Sequence, residues 1–283
     1  MSTAAVAGPR PQKNYLLSVV AILVSIVVFL VPFAFIVLTA VKDRQQAANL
    51  DFAWPHQFRI VQNFVEVIKA RDFMLVTAFK NSIILTVVSV AVLVVLCAMV
   101  GFVIQRRPGP AASVANLLVL AGLIIPPAIV PTIWVLQNLG IFKTLLGLIL
   151  VEIAFGMSFS VLLFRAFVAA IPRELDEAAI IDGASAFTLF FRVIFPLLRP
   201  VTITVILTQS VFIFNDFVNP LYFLPGDENA TVQLTLFNFQ SQFSTQYNLL
   251  FMDIVLVTIP PLILFIFFNR KIVSGLTAGA VKG

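Results

Sequence analysis

Six apolar stretches constrain this chain more than any other feature of its sequence. They are Tyr15–Val41, Ser82–Ile104, Val114–Leu139, Leu145–Ala170, Val201–Phe223 and Leu249–Phe268. A bilayer core about 30 Å thick needs roughly 20 apolar residues per helical crossing, which each stretch reaches or approaches. One such stretch could be a buried core helix, but with only 11% charged residues the chain cannot cover a soluble surface. The polar/apolar alternation of a membrane barrel is missing, so we predict an all-α polytopic membrane protein with six transmembrane helices.

The distribution of Lys and Arg among the short loops predicts which side of the membrane each loop faces. The connection Gln105–Ser113 carries Arg106 and Arg107, whereas the segment Pro225–Asn248 contains no Lys or Arg. Because short loops rich in Lys and Arg stay in the cytoplasm, both chain ends are predicted to be cytoplasmic. The net charge of +5 reflects this bias. Without a compact basic cluster interleaved with aromatic residues, it indicates a lipid bilayer as partner and no nucleic acid.

A single cysteine, a single histidine and a missing phosphate-binding motif exclude several classes of enzyme. Cys97 lies among Val and Leu residues and has no second cysteine with which to form an internal disulfide. Nothing near His56 has the spacing of a metal site or of a Ser-His-Asp triad. No G-x-x-x-x-G-K-[ST] motif occurs, so ATP, if it is needed, is bound by another subunit. We therefore expect no catalytic residue, metal site or cofactor in this chain.

The connection between the fourth and fifth predicted spans, Ile171–Pro200, is long and has a pattern of its own. Its first part predicts a short helix with acidic residues at the positive end of the helix dipole, and Gly183 then provides a stop. Ser185 can cap a second helix, which Pro196 and Pro200 are predicted to end. Along that second helix an apolar stripe of three phenylalanines and one isoleucine follows helical spacing, at Phe187, Phe190, Phe191 and Ile194.

Two interpretations of this connection follow from its residue pattern alone. It could be an amphipathic elbow that lies on the membrane surface. Its first helix is acidic, however, with Glu174, Asp176 and Glu177, and anionic lipid would repel that charge. The pattern therefore favours a surface that docks another protein, and both interpretations remain open on physical grounds.

The same connection resembles the EAA loop of ABC importer permeases. The matching residues stand at the family's offsets and are Glu177, Ala178, Ala179, Asp182, Gly183, Ala184, Val193, Ile194, Phe195 and Pro196. Asn81–Ser82, Asn215–Phe217 and Gly275–Gly283 are similar to segments of the maltose-transporter-like carbohydrate permeases of the MalG type. One departure is Asp216, which stands where that family usually has a glutamate.

The resemblance implies a fold, an activity and a set of partners. The fold is the six-helix permease fold of ABC type I importers. In this chain residues 1–14 would be a cytoplasmic tail, residues 15–270 the permease domain with its coupling loop at 171–200, and residues 271–283 a second cytoplasmic tail. The partners are a second, MalF-like permease, two MalK-like ATPase subunits that bind ATP and magnesium, and an extracytoplasmic sugar-binding protein. The location is a bacterial plasma membrane. In that family the loop docks into the ATPase, and the coupling residues here would be Glu177, Ala178, Ala179, Asp182, Gly183 and Pro196.

Polar residues inside the apolar stretches are candidates for a translocation path, because each is costly in a bilayer. The fifth span carries Gln209, Asn215, Asp216 and Asn219, with Asn215 and Asn219 predicted on one helix face. Hydrogen bonding between helices explains such residues equally well. In the fourth span, Glu152 and Arg165 are too far apart to pair, and Arg165 is expected to extend toward the cytoplasmic end.

Prolines in the third predicted span indicate a kink or an interruption there. Pro126, Pro127 and Pro131 each remove a backbone N–H from the helical ladder. A permease that alternates between two states could use such a break, although static membrane helices also contain proline.

Three other functions remain as alternatives. A permease for amino acids, polyamines or phosphate would share the same loop. An ion-coupled secondary transporter would show inverted repeats, which this sequence lacks. A channel would need a symmetric oligomer, and it would not explain the long connection Ile171–Pro200.

Overall fold

The described part of the chain folds almost entirely into helices. The computed structural model describes the backbone of residues 15–241 and 244–280 and the side chains of residues 18–241 and 244–268. Its helices are α1 (Tyr15–Ser25, continued by a π-helical turn Ile26–Leu30 and by Val31–Ala40), α2 (Arg44–Ala47), α3 (Ile60–Arg106), α4 (Pro110–Ile124), α5 (Ile129–Asn138), α6 (Leu145–Ala170), α7 (Glu174–Ile181), α8 (Ala186–Leu197), α9 (Arg199–Phe214), α10 (Val218–Phe223), α11 (Val232–Thr235) and α12 (Tyr247–Ala280).

The long contact between α3 and α6 forms the centre of the bundle. The two helices come close at Gly101, where a Cβ atom would lie 3.0 Å from the backbone nitrogen of Arg165 and from the Cβ of Phe164. Small residues permit this approach, which is a common basis of helix packing in membranes. Val161 is fully buried beside it, Leu93 is fully buried further along α3, and the core continues onto α9. These three helices therefore position the connections at both ends of the bundle.

Among the described residues, four helices are long and apolar enough to cross a membrane. The number becomes five if α8 and α9, which meet at an angle of 77°, form one crossing. The fourth predicted span agrees with α6 at both ends, Leu145 and Ala170. The third and fifth predicted spans are not continuous helices, so the six predicted spans do not each correspond to one long helix.

The third predicted span, Val114–Leu139, is divided into α4 and α5. Between them Ile125 is extended, with φ −79° and ψ 122°. Pro126 follows it and excludes the helical conformation at the residue before it, and Pro126 and Pro127 both lack the N–H that a helix needs. The predicted interruption is confirmed at these two prolines, whereas Pro131 lies within the first turn of α5 and does not break it.

The fifth predicted span, Val201–Phe223, is broken between α9 and α10. At the break the amide of Asn215 donates to the backbone oxygen of Val211 over 2.8 Å. The carboxylate of Asp216 accepts a hydrogen bond of 2.9 Å from the backbone N–H of Val218. Short polar side chains of this kind compete with the helical ladder for backbone groups and so stabilise an interruption. The expectation that Asn215 and Asn219 share one helix face is therefore wrong.

The second predicted span is part of a much longer helix, α3. Its first part begins at Ile60, and a break at Ala70–Phe73 separates that part from the rest. Arg71, Asp72 and Phe73 all have positive φ angles, of 47°, 52° and 62°. This conformation costs an ordinary residue roughly 1–2 kcal/mol, so the break is a strained point of α3.

Hydrogen bonds fix the connection that follows α1. The side chain of Lys42 is fully buried, and its Nζ donates to the carboxylate of Asp51 over 2.8 Å and to the Asp51 carbonyl over 2.7 Å. The amide of Asn63 donates to the carbonyl of Ala40 over 2.7 Å, and Asn248 at the start of α12 donates to Asn63 over 3.0 Å. The connection therefore ties α1, α3 and α12 together.

Acid is expected to loosen this connection. The hydrogen bond from Lys42 lowers the pKa of Asp51 below its ordinary value of 3.8. A carboxyl group whose pKa falls on folding stabilises the fold above the unfolded value and loses that contribution as the pH drops through the folded value. Hydrogen-exchange protection of residues 43–52 should thus be retained at pH 6 and fall below about pH 4. In Asp51→Asn the protection should already be low at pH 6, and equal protection in the two proteins would contradict this role of Asp51.

Candidate coupling site and polar pathway

Two short helices joined at a glycine elbow follow α6, as the sequence predicts. Gly183 lies between α7 and α8 with φ +79°, a left-handed conformation that glycine adopts without strain. The backbone N–H of Ala184 donates to the carbonyl of Ala179 over 3.0 Å and closes the end of α7. The hydroxyl oxygen of Ser185 accepts from the N–H of Thr188 over 3.2 Å and caps α8. We call the segment from α7 to the end of α8 the coupling elbow.

The second helix of the elbow departs from its predicted pattern. Leu189–Ile194 is π-helical, so its residues advance by more than 3.6 per turn. Phe190 and Ile194 consequently face the bundle, whereas Phe187 remains 69% exposed. The prediction that Pro196 and Pro200 end this helix is confirmed, because α8 ends at Leu197, between the two prolines, and meets α9 at an angle of 77°.

The elbow presents acidic and apolar residues together on one surface. Glu177, Ala178 and Asp182 are exposed, and Ile180 and Ile181 are 60% and 85% exposed. Large exposed apolar side chains beside polar ones mark sites of interaction with another protein or a membrane. Of the coupling residues that the sequence suggested, Ala179 differs because it packs against the bundle core and takes no part in this surface.

One arginine joins the elbow to the rest of the bundle. Arg106, at the end of α3, donates through a terminal guanidinium nitrogen to the carbonyl of Ile171 over 2.8 Å. Its Nε lies 2.7 Å from the Oδ2 of Asp176 in the first turn of α7. The two side chains are only 8% and 13% exposed. From the sequence Arg106 contributes only to the prediction of orientation, since nothing in its spacing points to a residue of the elbow.

A second polar group lies between α6 and the broken span α9–α10. The amide of Gln209 donates to the hydroxyl of Ser160 over 3.2 Å, and the amide of Asn219 donates to the Oε1 of Glu152 over 3.2 Å. All four residues are buried. Gly156 lies between the two contacts, where a Cβ would come within 3.1 Å of Gln209. Gln209 and Asn219 therefore bridge helices, as the packing interpretation requires.

The other two candidate path residues lie at the break itself. Asn215 is exposed and accepts a hydrogen bond from Gln233 over 3.2 Å. Asp216 is half-buried, and its carboxyl group lies close to that of Glu152. A cavity of about 410 Å³ opens beside the break and is lined by residues that include Phe217 and Asp227. The structure thus places the side chains of Asp216 and Asn219 next to Glu152. Gln209 contacts Ser160 instead, and Asn215 contacts Gln233.

Arg165 has polar partners near the end of the bundle where α3 ends and α4 begins. Its Nε donates to the side chain of Gln105 over 3.1 Å, and its guanidinium also contacts Asn116. It does not pair with Glu152, whose partner is Asn219. No pattern in the sequence indicates the Glu152–Asn219 contact, because the two residues stand 67 positions apart.

A pair of substitutions can distinguish packing from path lining at Asn219. Asn219→Leu alone leaves the buried Glu152 without its donor, which should lower the free energy of unfolding by roughly 1–3 kcal/mol. Replacing both partners by leucine should cost less than the sum of the single changes, measured by thermal denaturation in detergent. Additive losses would contradict the contact. A stable double variant that transports normally would show that Glu152 and Asn219 serve helix packing. A stable double variant that fails to transport would show that they line the translocation path.

Comparison with known proteins identifies the family. The family model described as binding-protein-dependent transport system inner membrane component matches residues 98–277. A melibiose/raffinose/stachyose import permease protein of Bacillus subtilis is 27% identical over 277 residues, which are 97% of this chain and 99% of that protein. A diacetylchitobiose uptake system permease protein of Streptomyces coelicolor is 28% identical over 261 residues, 90% of this chain and 85% of that protein.

The fold is also found among solved structures. A chain of a bacterial ABC transporter that imports the acidic polysaccharide alginate superposes with a TM-score of 0.77. The match covers 93% of this chain and 99% of that chain at 18% identity, a level that establishes likeness of fold alone. With the family model matched over more than half of its length, the chain belongs to the family of inner membrane components of binding-protein-dependent transport systems.

Proposed function

We propose that this chain is one of two permease subunits of an ATP-driven ABC importer for carbohydrates. The coupling elbow carries the proposal, because it exposes acidic and apolar side chains between two apolar helices of a chain in this family. The carbohydrate class is supported by the relatives, which include permeases for melibiose, raffinose and stachyose and for diacetylchitobiose.

The elbow acts as the contact for the ATPase. Its partners are a second, MalF-like permease, two MalK-like ATPase subunits and an extracytoplasmic sugar-binding protein. ATP and magnesium are bound and hydrolysed on the ATPases, and this chain supplies no catalytic group. Glu177 and Asp182 offer carboxylates to donors on the ATPase, Ala178 permits close approach, and Gly183 sets the angle between the two helices.

Six crossings build the domain in the bacterial plasma membrane. The pair α4–α5 makes the third crossing and the pair α9–α10 the fifth, each with an interruption in the middle. Both chain ends are cytoplasmic, a topology supported by the Arg106 and Arg107 pair at the inner end of α3. Asn215 and Asp216, at the break between α9 and α10, line one side of the route between this chain and its partner permease, whereas Gln209 and Asn219 hold the helices beside it together.

Reconstitution of the full complex tests the function. The two permeases, the ATPases and the binding protein are placed in liposomes, and ATP hydrolysis and uptake are measured with sugars, amino acids, polyamines and phosphate. We expect oligosaccharides to stimulate both activities. If only a solute of another class stimulated hydrolysis and uptake, the importer would carry that class and not carbohydrates. Uptake by this chain without any ATPase would overturn the proposal in favour of an ion-coupled transporter.

A further inference from the structure

The ion pair between Arg106 and Asp176 is largely buried and lies apart from the exposed residues that form the docking surface of the elbow. We infer that Arg106 is a positioning residue that fastens the coupling elbow to the inner end of α3, so that movement of the elbow is passed directly into α3. This inference rests on the proposed function, since it concerns how the elbow's movement reaches the rest of the bundle.

The contacts of Arg106 join three elements at one point. The guanidinium holds the carbonyl of Ile171, which ends α6, over 2.8 Å and lies 2.7 Å from Asp176 on α7. Arg106 itself belongs to the last turn of α3. A planar guanidinium with several donors can hold two acceptors at once, which a lysine ammonium on its flexible stem does less rigidly. The inner end of α3 therefore cannot separate from both the end of α6 and the elbow without breaking these two contacts.

The burial of the pair distinguishes it from the other charges nearby. With exposures of 8% and 13%, both partners are largely removed from water, where an ion pair is screened far less than at the surface. The neighbouring Arg107 is exposed, and so is Glu174, which shares the first turn of α7 with Asp176. Among the described residues, Asp176 is the acid of α7 that forms an ion pair.

The first helix of the elbow has little other attachment to the bundle. None of the residues of α7 is buried, and Ala179 is its member that packs against the apolar core. The second helix, by contrast, inserts Phe190, whose ring lies 5.6 Å from that of Phe102 on α3. The ion pair therefore holds α7, the helix with the exposed acids, while apolar packing holds α8.

Through α3 the attachment extends to the outer side of the bundle. From the break at Ala70–Phe73 to Arg106 the helix is continuous, a length of about 50 Å at 1.5 Å per residue. At its outer end Asn81 donates to the carbonyl of Ala230 over 3.1 Å, and the hydroxyl of Ser82 accepts from the N–H of Val232 over 3.0 Å. A single rigid helix thus connects the elbow with the outer segment that precedes α12.

The test removes the ion pair without leaving an unpaired buried charge. Replacing a buried ion pair by apolar residues often preserves stability, so Arg106→Leu with Asp176→Leu should fold and assemble. We expect its ratio of sugar transported to ATP hydrolysed in the reconstituted complex to fall about 10-fold, within the usual range of coupling effects. The matched control is Arg107→Leu with Glu174→Leu, which makes the same changes at the exposed neighbours and should keep the wild-type ratio.

A second variant keeps the inference falsifiable if the leucine pair does not assemble. Asp176→Asn preserves the shape of the side chain, and its ratio should fall in the same direction. A leucine pair or an Asp176→Asn variant that assembles and keeps the wild-type ratio would overturn the role of Arg106. Failure of the wild-type complex to hydrolyse ATP in response to sugar would instead count against the proposed function, so the two failures are distinct.

Discussion

Replacing Glu177 by lysine is expected to separate this chain from its ATPase while leaving it in the membrane. The side chain is exposed on α7, where its carboxylate is available to donors of a partner. Removing one member of a charge pair that is desolvated in an interface costs about 2 kcal/mol or more, and reversal adds repulsion. The affinity for the ATPase should therefore fall at least about 30-fold, measured by co-purification and by titration of the ATPase onto permease in nanodiscs.

Glu174→Lys is the matched control for this experiment. It makes the same change of charge on the same helix, at a side chain that is also exposed. At either position, the unfavourable interaction of a lysine with the helix dipole costs only about 0.3–1 kcal/mol of helix stability. Any loss of affinity for the ATPase that is specific to Glu177→Lys therefore reports on the interface. If Glu177→Lys co-purified with the ATPase and supported full uptake, the elbow would have no part in coupling.

Local patterns made most of the fold and the elbow predictable. The bounds of α6 follow from one apolar run, and the break between α4 and α5 follows from Pro126 and Pro127, whose effect does not depend on distant residues. The elbow could be predicted for the same reason, because a left-handed glycine and the cap at Ser185 act within a few residues. The roles assigned to these residues in coupling remain predictions.

Contacts between distant parts of the chain account for what the sequence did not reveal. Asn215 and Asp216 lie in an apolar run, and their hydrogen bonds to the backbone interrupt the helix there. Beyond this interruption, Asn219 contacts Glu152 on α6, a residue far away in the sequence. The attachment of the elbow likewise depends on Arg106, which stands 65 positions before Ile171. No periodicity within a single helix encodes such pairs.

A backbone change at Gly183 should uncouple the elbow without touching any partner. A Cβ atom there would meet no heavy atom within 4 Å, so the effect of a substitution comes from the positive φ of 79°. A β-branched residue is strained in that conformation, by more than the roughly 1–2 kcal/mol that an ordinary residue incurs. Gly183→Val should relieve the strain by changing the angle between α7 and α8, which moves Glu177 away from its place on the docking surface.

The expected result for Gly183→Val is a fall of about 10-fold in sugar uptake, the equivalent of roughly 1.4 kcal/mol, at unchanged levels of protein in the membrane. Gly183→Asn is the control, because asparagine enters the left-handed region more easily than other residues with a side chain. Space is available for both side chains, so sterics cannot explain a difference between them. Equal uptake by the two variants would mean that the conformation of Gly183 does not set the elbow, whereas loss in valine alone ties coupling to this one backbone angle.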